Sequence, residues 1–543
     1  MTRIKKSAIS MLMITGLPLW IFAQTSQNRS LDERIDDAFM PVANWFENLI
    51  FTSIPFTNEF RIPIVLILLI GGAFFFTVAF SFPNIRRFWL AINVVRGKYK
   101  DIDKPEAIQS AEVNIVDGDV IGTIADESKE GEVSHFQALA TAVSGTVGLG
   151  NIAGVALAIA IGGPGATFWM IIAGLLGMSS KFVECTLGVK YRDIGPDGTV
   201  YGGPMYYLSK GLSEMGWVNL GKVLAVIFAI FCVGGSFGGG NAFQANQATQ
   251  QIVTSLGLSG GFIGTLIGVI FAVVVGLVII GGIKRIGAVT EKVVPFMAIM
   301  YVLACLIIIF SHFSYLGTAI GLIISQAFTP VAGLGGLVGV LITGFRRAAF
   351  SNEAGAGSAA IAHSAVKTNY PASEGIVALL EPFIDTVVIC TMTALVIIMF
   401  NQGDIFTYGG DGSGNVLING QNVGGVDLTS MAFADVLPWF PNVLTLAIVL
   451  FAFSTMISWS YYGLQSWKFL FGRSKWSDYS YKILFLVFIV VGSASSMDAV
   501  FRFSDAMILA LVFPNMIGLI LLYPKVRNEM KKYLSAINHF NLK

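Results

Sequence analysis

The amino-acid sequence predicts an all-α polytopic membrane protein with about 11 transmembrane helices. Of its 543 residues, 55% are hydrophobic and 12% are charged, and the mean hydropathy is +0.73. A soluble domain carries about 25% charged residues, so this composition indicates a membrane protein. Apolar segments close to the ~20 residues that a bilayer requires recur along the chain. They lie at 62–82, 136–162, 166–189, 221–250, 261–282, 288–311, 331–350, 375–400, 438–466, 480–496 and 500–523.

The positive charges between these segments predict the orientation of the chain. Lys and Arg concentrate in alternate loops, and loops rich in them lie in the cytoplasm. The loops assigned to that side include Arg86, Arg87, Lys190, Arg192, Lys284, Arg285, Arg346, Arg347, Lys468, Arg473 and Lys525. This alternation predicts a multi-pass protein of the bacterial cytoplasmic (inner) membrane, in contact with membrane lipid, with the mature N-terminus outside and the C-terminus in the cytoplasm. The net charge of +1 gives no reason to expect a nucleic-acid partner.

The segments outside the predicted spans divide the remaining chain. Residues 1–23 are typical of a signal peptide, with an uncleaved first anchor as the alternative. Residues 24–60 predict an external segment, in which Leu31–Ile50 has the spacing of an amphipathic helix lying on the membrane surface. A second external amphipathic helix is predicted at Tyr315–Phe328. The other divisions are a leading transmembrane helix at 61–83, a cytoplasmic acidic segment at 84–134, an external turn-rich loop at 402–428 and a cytoplasmic tail at 526–543.

One glycine-rich stretch inside the second predicted span indicates a break in a helix. Ser144–Asn151 reads S-G-T-V-G-L-G-N and contains three glycines within six residues. Each glycine costs roughly 1 kcal/mol against alanine in a helix interior. A break inside a bilayer is tolerated only where the freed backbone groups line a cavity or bind something. The stretch therefore predicts a binding site for a small polar molecule.

Polar side chains in other spans indicate a lined cavity rather than an enzyme. The span 221–250 contains Asn241 and Gln244, and the span 438–466 contains Ser454, Thr455 and Trp459. Each of these could instead be a helix–helix contact, worth around 0.6 kcal/mol on average. No clustered histidines, metal pattern or nucleophile motif occurs, so the chain is not predicted to be an enzyme and no cofactor is expected.

Charged residues within or beside the spans leave several pairings open. Lys181 and Glu184 are three residues apart on a helix and can pair with each other. Glu381 and Asp385 lie one helical turn apart, and Asp385 is either a coupling carboxylate for protons or a hydrogen-bonded structural acid. Arg346 or Arg347 is expected to pair with Glu353, as a gate or as a plain salt bridge.

Several motifs occur together in one order. They are Gln137–Ala156, Gly162–Gly177 (with Thr167 and Ile171 departing from the usual pattern), Tyr201–Leu208, Phe350–His363 and Ser454–Trp459. Over roughly Arg61 to Lys532 this series resembles the alanine or glycine:cation symporters, also called sodium:alanine symporters. The resemblance implies the fold of the bacterial leucine transporter, with two inverted five-helix repeats at 135–312 and 313–525 plus one leading helix. Its symmetry predicts a second broken helix at the glycine-rich span 331–350.

The resemblance also implies roles for individual residues. Sodium would bind the carbonyls of Ser144 and Val147 and the hydroxyls of Ser454 and Thr455. A set of oxygen donors without a fixed carboxylate suits a monovalent cation. The substrate carboxylate would meet the amides around Gly148 and Gly150, at the positive end of a half-helix, and Thr146 would be a further substrate contact. The other implied substrate contacts are carbonyls near Thr343 and Gly344 for the ammonium group, Asn151 with an undecided partner, and Phe243, Gln244 and Trp459 as walls.

The leading hypothesis is a sodium-coupled symporter that imports a small neutral amino acid, alanine or glycine, by alternating access. A proton-coupled amino-acid transporter that uses Asp385 or Glu381 is the first alternative. A membrane receptor that senses an amino acid without transporting it is the second. One methyl group is worth only ~1–3 kcal/mol in a pocket, so the sequence does not separate alanine from glycine.

Overall fold

The structure, a computed structural model, describes residues 30–55, 61–100, 102, 115–116, 119–120, 131–196, 198–328, 337–402, 404–409 and 414–542. Within these ranges the chain is mainly α-helical, and its strands form short two-stranded hairpins. The all-α fold class is therefore confirmed. The predicted signal peptide at 1–23 and most of the acidic part of the segment 84–134 lie outside the described residues.

The N-terminal part contains the first predicted amphipathic helix and the leading helix. Its elements are α1 (Leu31–Ile50), β1 (Ser53–Pro55), β2 (Arg61–Pro63), α2 (Ile64–Ala79), α3 (Pro83–Arg86), α4 (Phe88–Val95), β3 (Ile115–Val116) and β4 (Asp119–Val120). β1 pairs with β2 and β3 with β4, both antiparallel. Ser30 and Glu33 form a capping box that begins α1.

The next part corresponds to the predicted first repeat. Its elements are α5 (His135–Thr146), a π-helical turn (Gly150–Gly154), α6 (Val155–Gly162), α7 (Gly165–Lys190), β5 (Asp193–Ile194), β6 (Val200–Tyr201), α8 (Pro204–Glu214), α9 (Val218–Phe237), a second π-helical turn (Gly238–Ala242), α10 (Phe243–Leu256), α11 (Ile263–Ile279) and α12 (Gly282–Ser311).

The last part corresponds to the predicted second repeat and the tail. Its elements are α13 (Phe313–Gln326), α14 (Leu337–Asn352), α15 (Ala359–His363), α16 (Pro371–Ala378), α17 (Leu380–Pro382), a third π-helical stretch (Phe383–Cys390), α18 (Thr391–Asn401), β7 (Asn415–Ile418), β8 (Gln421–Gly424), α19 (Gly425–Val436), α20 (Phe440–Phe471), α21 (Lys475–Ala494), α22 (Met497–Ala510) and α23 (Val512–Leu542). The predicted loop 402–428 contains the β7–β8 hairpin and the start of α19.

Each of the eleven predicted spans has a helical counterpart in the structure. In the described part, seven helical stretches are long and apolar enough to cross a membrane. The pair formed by His135–Thr146 and Gly150–Gly162, bent by 51°, makes an eighth. Ile64–Ala79 and Ile263–Ile279 are apolar but shorter. The multi-pass character is clear from these helices, whereas the count of eleven stays a prediction.

The amphipathic helix α1 packs on the protein rather than only lying on its surface. The rings of Phe39 and Phe503 (in α22) are 5.2 Å apart, and Phe39, Ala43 and Ile50 are buried. Asp32 accepts hydrogen bonds from the backbone N–H of Gly264 (3.1 Å), at the start of α11. The sequence predicted this helix, but the partner of its apolar face is another part of the same chain.

The positions of Arg346 and Arg347 differ from the loop assignment made from the positive charges. That assignment placed both residues on the cytoplasmic side, although they lie within the predicted span 331–350. Helix α14 continues to Asn352, and Arg346 lies 3.5 Å from Glu47 of α1. The two arginines therefore lie within a helix, on the side of the molecule that carries the segment assigned to the exterior.

Candidate functional site

The predicted break in the first core helix is present. Helix α5 ends at Thr146, Val147 leaves the helical conformation with φ −74° and ψ 89°, and a π-helical turn then leads into α6. The two halves meet at 51°. Gly148 faces Thr455 so closely that an added Cβ would lie 2.3 Å from the Thr455 hydroxyl oxygen. Glycine is therefore required here by the approach of a second helix.

Of the atoms predicted to bind sodium, the Ser144 carbonyl and the Thr455 hydroxyl meet between α5 and α20, whereas the Ser454 hydroxyl donates to the Phe451 carbonyl of its own helix at 3.0 Å. The Ser144 hydroxyl donates to the Ser454 carbonyl at 2.8 Å, and the Thr455 hydroxyl donates to the Ser144 carbonyl at 3.0 Å. Val147 lies at the break beside them, and all four residues are buried. The oxygen atoms that these four residues could offer to a cation are hydroxyl and carbonyl oxygens, and none of the four residues carries a carboxylate. This chemistry fits a hard monovalent cation.

A small buried cavity lies beside this contact. It is lined by Gly145, Thr146, Gly150, Gly239, Gln244, Phe350, Glu353 and Ile508. Three of these residues, Thr146, Gly150 and Gln244, were predicted substrate contacts. Gln244 is held in place because its side chain accepts from the Leu149 N–H (3.0 Å) and donates to the Gly239 carbonyl (2.9 Å). The cavity thus lies between the first break and the π-helical turn (Gly238–Ala242) that connects α9 to α10.

The side chain of Asn151 fastens the first break to its surroundings. Its oxygen accepts from the Gly148 N–H at 2.9 Å, and its amide nitrogen donates to a carboxylate oxygen of Asp385 at 2.6 Å. The other Asp385 oxygen accepts from the Ser351 hydroxyl at 2.8 Å. Asp385 therefore connects the first break to α14. The contact of Asn151 with a neighbouring helical stretch is one of the three partners left open by the sequence.

Among the described residues, a second break follows the predicted span 331–350. In the described residues α14 is continuous from Leu337 to Asn352, so the span 331–350 contains no break after 336; residues 329–336 lie outside the described part. The chain leaves the helix at Glu353, with φ +55°, and becomes helical again at Ala359. Gly355 and Gly357 have φ values of +89° and +86°, which side chains other than glycine rarely adopt.

The position of this break separates two predicted substrate residues from the cavity. Thr343 and Gly344 lie inside α14, and neither is among the cavity-lining residues. An added Cβ on Gly344 would lie 2.7 Å from the Ala166 carbonyl oxygen of α7. Glycine at 344 therefore permits close helix packing. Gly344 thus marks the close contact between α14 and α7, and the observed break begins after Asn352, where α14 ends.

Of the three side chains predicted to form the walls of the substrate site, one lines the cavity and two do not. Gln244 faces the cavity, whereas Phe243 and Trp459 lie behind residues that line it. The Phe243 ring packs edge-on against the ring of Phe350 with centroids 5.0 Å apart. The Trp459 indole nitrogen donates to Glu353 at 2.9 Å. Phe243 and Trp459 therefore position cavity residues.

Sequence reasoning missed four cavity residues and misassigned a fifth. Gly145, Gly239, Phe350 and Ile508 were not predicted to line a site, and Glu353 was expected to pair with Arg346 or Arg347. Both arginines instead bind Asp505 of α22, Arg346 at 2.5 Å. The available signal was the run N-E-A-G-A-G-S (352–358), because glycines around an acidic residue inside an apolar region indicate irregular backbone there.

The predicted pair of Lys181 with Glu184 is present, and Lys181 has a second, closer partner. Its ammonium group lies 2.9 Å from Glu381 and 3.9 Å from Glu184. Glu381 in turn lies 3.5 Å from the His363 Nε2 atom. All four side chains are fully buried. Lys181 thus joins α7 to α17 in addition to its own helix, and Glu381 is part of a charged cluster.

Comparisons with known proteins agree with the resemblance. The model described as "Sodium:alanine symporter family" matches residues 47–541. The sodium/alanine symporter AgcS of Methanococcus maripaludis is 37% identical over 473 residues, which cover 87% of this chain and 94% of that protein. The probable sodium/glutamine symporter GlnT of Bacillus subtilis is 34% identical over 412 residues, covering 75% and 80%.

Among solved structures, the crystal structure of MhsT in complex with L-phenylalanine is similar at 15% identity and a TM-score of 0.46, covering 73% of this chain and 99% of that one. The family model extends over most of the chain and includes both breaks. The protein therefore belongs to the sodium:alanine symporter family and is a membrane transporter.

Proposed function

We propose that the protein is a sodium-coupled symporter that imports a small neutral amino acid, alanine or glycine, by alternating access. The observation that carries this proposal is the joint position of the oxygen cluster and the cavity. The hydroxyl and carbonyl of Ser144, the carbonyl of Ser454 and the hydroxyl of Thr455 meet at the first break, and Thr146 and Gly150 of the same break line the cavity. A cation and a substrate at one break stabilise the same backbone geometry, which is how their binding becomes coupled.

The size and polarity of the cavity support a small zwitterion. Its walls combine glycines with the amide of Gln244, the hydroxyl of Thr146 and the carboxylate of Glu353. Two apolar side chains, Phe350 and Ile508, close the remaining surface. As it stands the cavity, at ≈ 10 Å³, has room for about one water molecule, so a substrate requires these walls to move apart, and a short side chain requires the smallest movement. The relatives named for alanine and glutamine are consistent with an amino-acid substrate.

The direct test is uptake of labelled alanine into proteoliposomes that contain the purified protein. An inward sodium gradient is expected to drive accumulation, and its replacement by potassium is expected to remove that accumulation. Unlabelled glycine should compete with alanine. Uptake that is equal with and without the sodium gradient would contradict the coupling, and binding of alanine without any uptake would indicate a receptor.

Removal of the hydroxyls at 454 and 455 is expected to weaken sodium dependence. In each of Ser454→Ala and Thr455→Ala, the sodium concentration for half-maximal alanine uptake should rise about tenfold or more, since a hydrogen bond or contact to a charged group is worth roughly 1.5–3 kcal/mol. Ser458→Ala is the matched control, because Ser458 lies one turn further along α20 and its hydroxyl has no hydrogen-bond partner in the described part of the chain.

The same variants separate sodium coupling from proton coupling. Asp385 accepts hydrogen bonds from Asn151, Ser351 and Thr386, which suits an ionised carboxylate with a structural role. Glu381 is paired with Lys181. If Thr455→Ala leaves uptake unchanged while Asp385→Asn abolishes uptake driven by a proton gradient, proton coupling through Asp385 replaces the sodium proposal.

A further inference from the structure

Glu353 is the one charged side chain among the described residues that line the cavity. It stands at the second break, where the backbone of this non-glycine residue adopts φ +55°. Such a conformation costs of order 1–3 kcal/mol and persists where the surrounding structure requires it. The side chain is only 3% exposed. A buried carboxylate held at a strained position and facing a cavity requires an account of what it binds.

Two hydrogen bonds orient the Glu353 carboxylate. The Trp459 indole donates to one oxygen at 2.9 Å, and the Ser358 hydroxyl donates to the other. Trp459 is itself fixed, because Gly240 packs against it so closely that an added Cβ would lie 2.1 Å from the ring. Each carboxylate oxygen can accept more than one hydrogen bond, so both retain capacity for a further donor. The group is therefore preorganised as an acceptor.

The nearby lysine does not satisfy this carboxylate directly. Within the described chain, the ion pairs of Lys181 are with Glu381 at 2.9 Å and Glu184 at 3.9 Å. The two arginines expected to pair with Glu353 bind Asp505 instead. Glu353 thus has neutral donors as its hydrogen-bond partners and no cation within ion-pair distance among the described residues. A cationic group that enters the cavity would supply the missing counter-charge.

The cavity offers a complementary surface opposite Glu353. Gly150 begins the π-helical turn that leads into α6, and the N-terminal end of a half-helix favours a negative group. We propose that Glu353 accepts the ammonium group of the substrate and so restricts the site to amino acids, excluding small carboxylic acids of the same shape. This proposal rests on the function proposed above. It replaces the carbonyls near Thr343 and Gly344 as the ammonium contact.

The expected consequence is selectivity between alanine and lactate, which differ by an ammonium group in place of a hydroxyl. Lactate leaves the buried carboxylate without its counter-charge, and sites built to bind a polar group reject analogues that lack it. Unlabelled lactate at 100-fold excess should therefore fail to displace labelled alanine from the wild-type protein in the presence of sodium. Displacement of alanine by lactate at equal concentration would overturn the proposal without any variant.

The variant test uses Glu353→Gln, which keeps the shape and loses the charge. Its affinity for alanine should fall about 10- to 150-fold, while its affinity for lactate stays the same or improves, so the alanine-to-lactate ratio narrows. Glu353→Asp keeps the charge and should have intermediate affinity, which also gives a measurement if the glutamine variant does not fold. Glu184→Gln removes an equally buried carboxylate outside the cavity and should keep the wild-type ratio.

The outcomes separate this proposal from the proposed function. Absence of sodium-dependent alanine binding by the wild-type protein contradicts the proposed function. Wild-type binding of alanine together with an unchanged alanine-to-lactate ratio in Glu353→Gln contradicts only the role of Glu353. If the ratio of alanine affinity to lactate affinity narrowed in both Glu353→Gln and Glu184→Gln, the role of Glu353 would also be contradicted. The effect would then follow from the loss of any buried charge.

Discussion

Replacement of Asp505 by asparagine is expected to destabilise the protein by about 3–5 kcal/mol. The Asp505 side chain is fully buried and binds both Arg346 and Arg347. The Arg347 side chain is only 2% exposed, so loss of the carboxylate leaves a guanidinium group buried without its counter-charge. The measurement is the temperature at which the detergent-purified protein loses its monodisperse elution profile. The variant should lose it many degrees below the wild type.

The position of this pair explains why the effect should reach transport. Arg347 lies one turn from Phe350 on α14, and Asp505 lies one turn from Ile508 on α22; Phe350 and Ile508 both line the cavity. The ion pair thus holds two cavity walls together.

Arg502→Gln is the control for this experiment, since the Arg502 side chain is 40% exposed and its pairs with Glu47 and Asp498 are solvent-accessible. Exposed pairs contribute about 0–1 kcal/mol. Equal losses in Asp505→Asn and Arg502→Gln would contradict the argument from burial. A double variant, Arg347→Met with Asp505→Leu, should recover much of the stability, because apolar residues of similar volume commonly replace buried ion pairs without loss.

The sequence allowed the first break to be predicted because its cause is local. Three glycines within six residues lower helix stability wherever they occur in a helix, and the bilayer limits what such a break can do. The observed end of α5 at Thr146 lies inside the stretch Ser144–Asn151. Helix positions were predictable for the same reason, since the length and polarity of each segment are properties of consecutive residues.

The second break could not be located in this way because glycine has two roles in membrane helices. Gly344 permits close packing on α7, whereas Gly355 and Gly357 permit positive φ values. Composition gives no means of separating the two roles. The pairing expected for the two arginines was wrong for a related reason: Arg347 and Asp505 are 158 residues apart in the sequence, and only the packing of α14 on α22 brings them together.

The partner of Asn151 illustrates the same limit within the site. Its residue type and position at the break indicated a polar contact, and three candidate partners remained open. The observed partner, Asp385, is 234 residues away and lies in a π-helical stretch that the sequence did not predict. Roles that depend on one residue and its neighbours in the chain were therefore predictable here, whereas roles that depend on a distant helix were not.

Replacement of Gly148 by alanine is expected to raise the sodium concentration for half-maximal alanine uptake about 5- to 150-fold, from 1–3 kcal/mol of overpacking. The new Cβ would lie 2.3 Å from the Thr455 hydroxyl oxygen and 3.0 Å from the Gln244 side-chain oxygen. Thr455 can relieve the contact only by giving up its hydrogen bond to the Ser144 carbonyl. The substitution therefore displaces a predicted sodium ligand without altering any polar group. Uptake at saturating sodium should fall less, because the cavity walls remain.

Gly154→Ala is the matched control, since Gly154 belongs to the π-helical turn at the same break and an added Cβ there would have no atom within 4 Å. Both variants add one methyl group at the same break, so the difference between them reports the contacts that the added Cβ of Gly148→Ala makes with Thr455 and Gln244. A displaced Thr455 hydroxyl has the same effect on sodium binding as its removal. Gly148→Ala and Thr455→Ala should therefore require similar sodium concentrations for half-maximal uptake, and the double variant should require little more than either single variant. Additive losses in the double variant would mean that Gly148 acts at the cavity rather than at the cation.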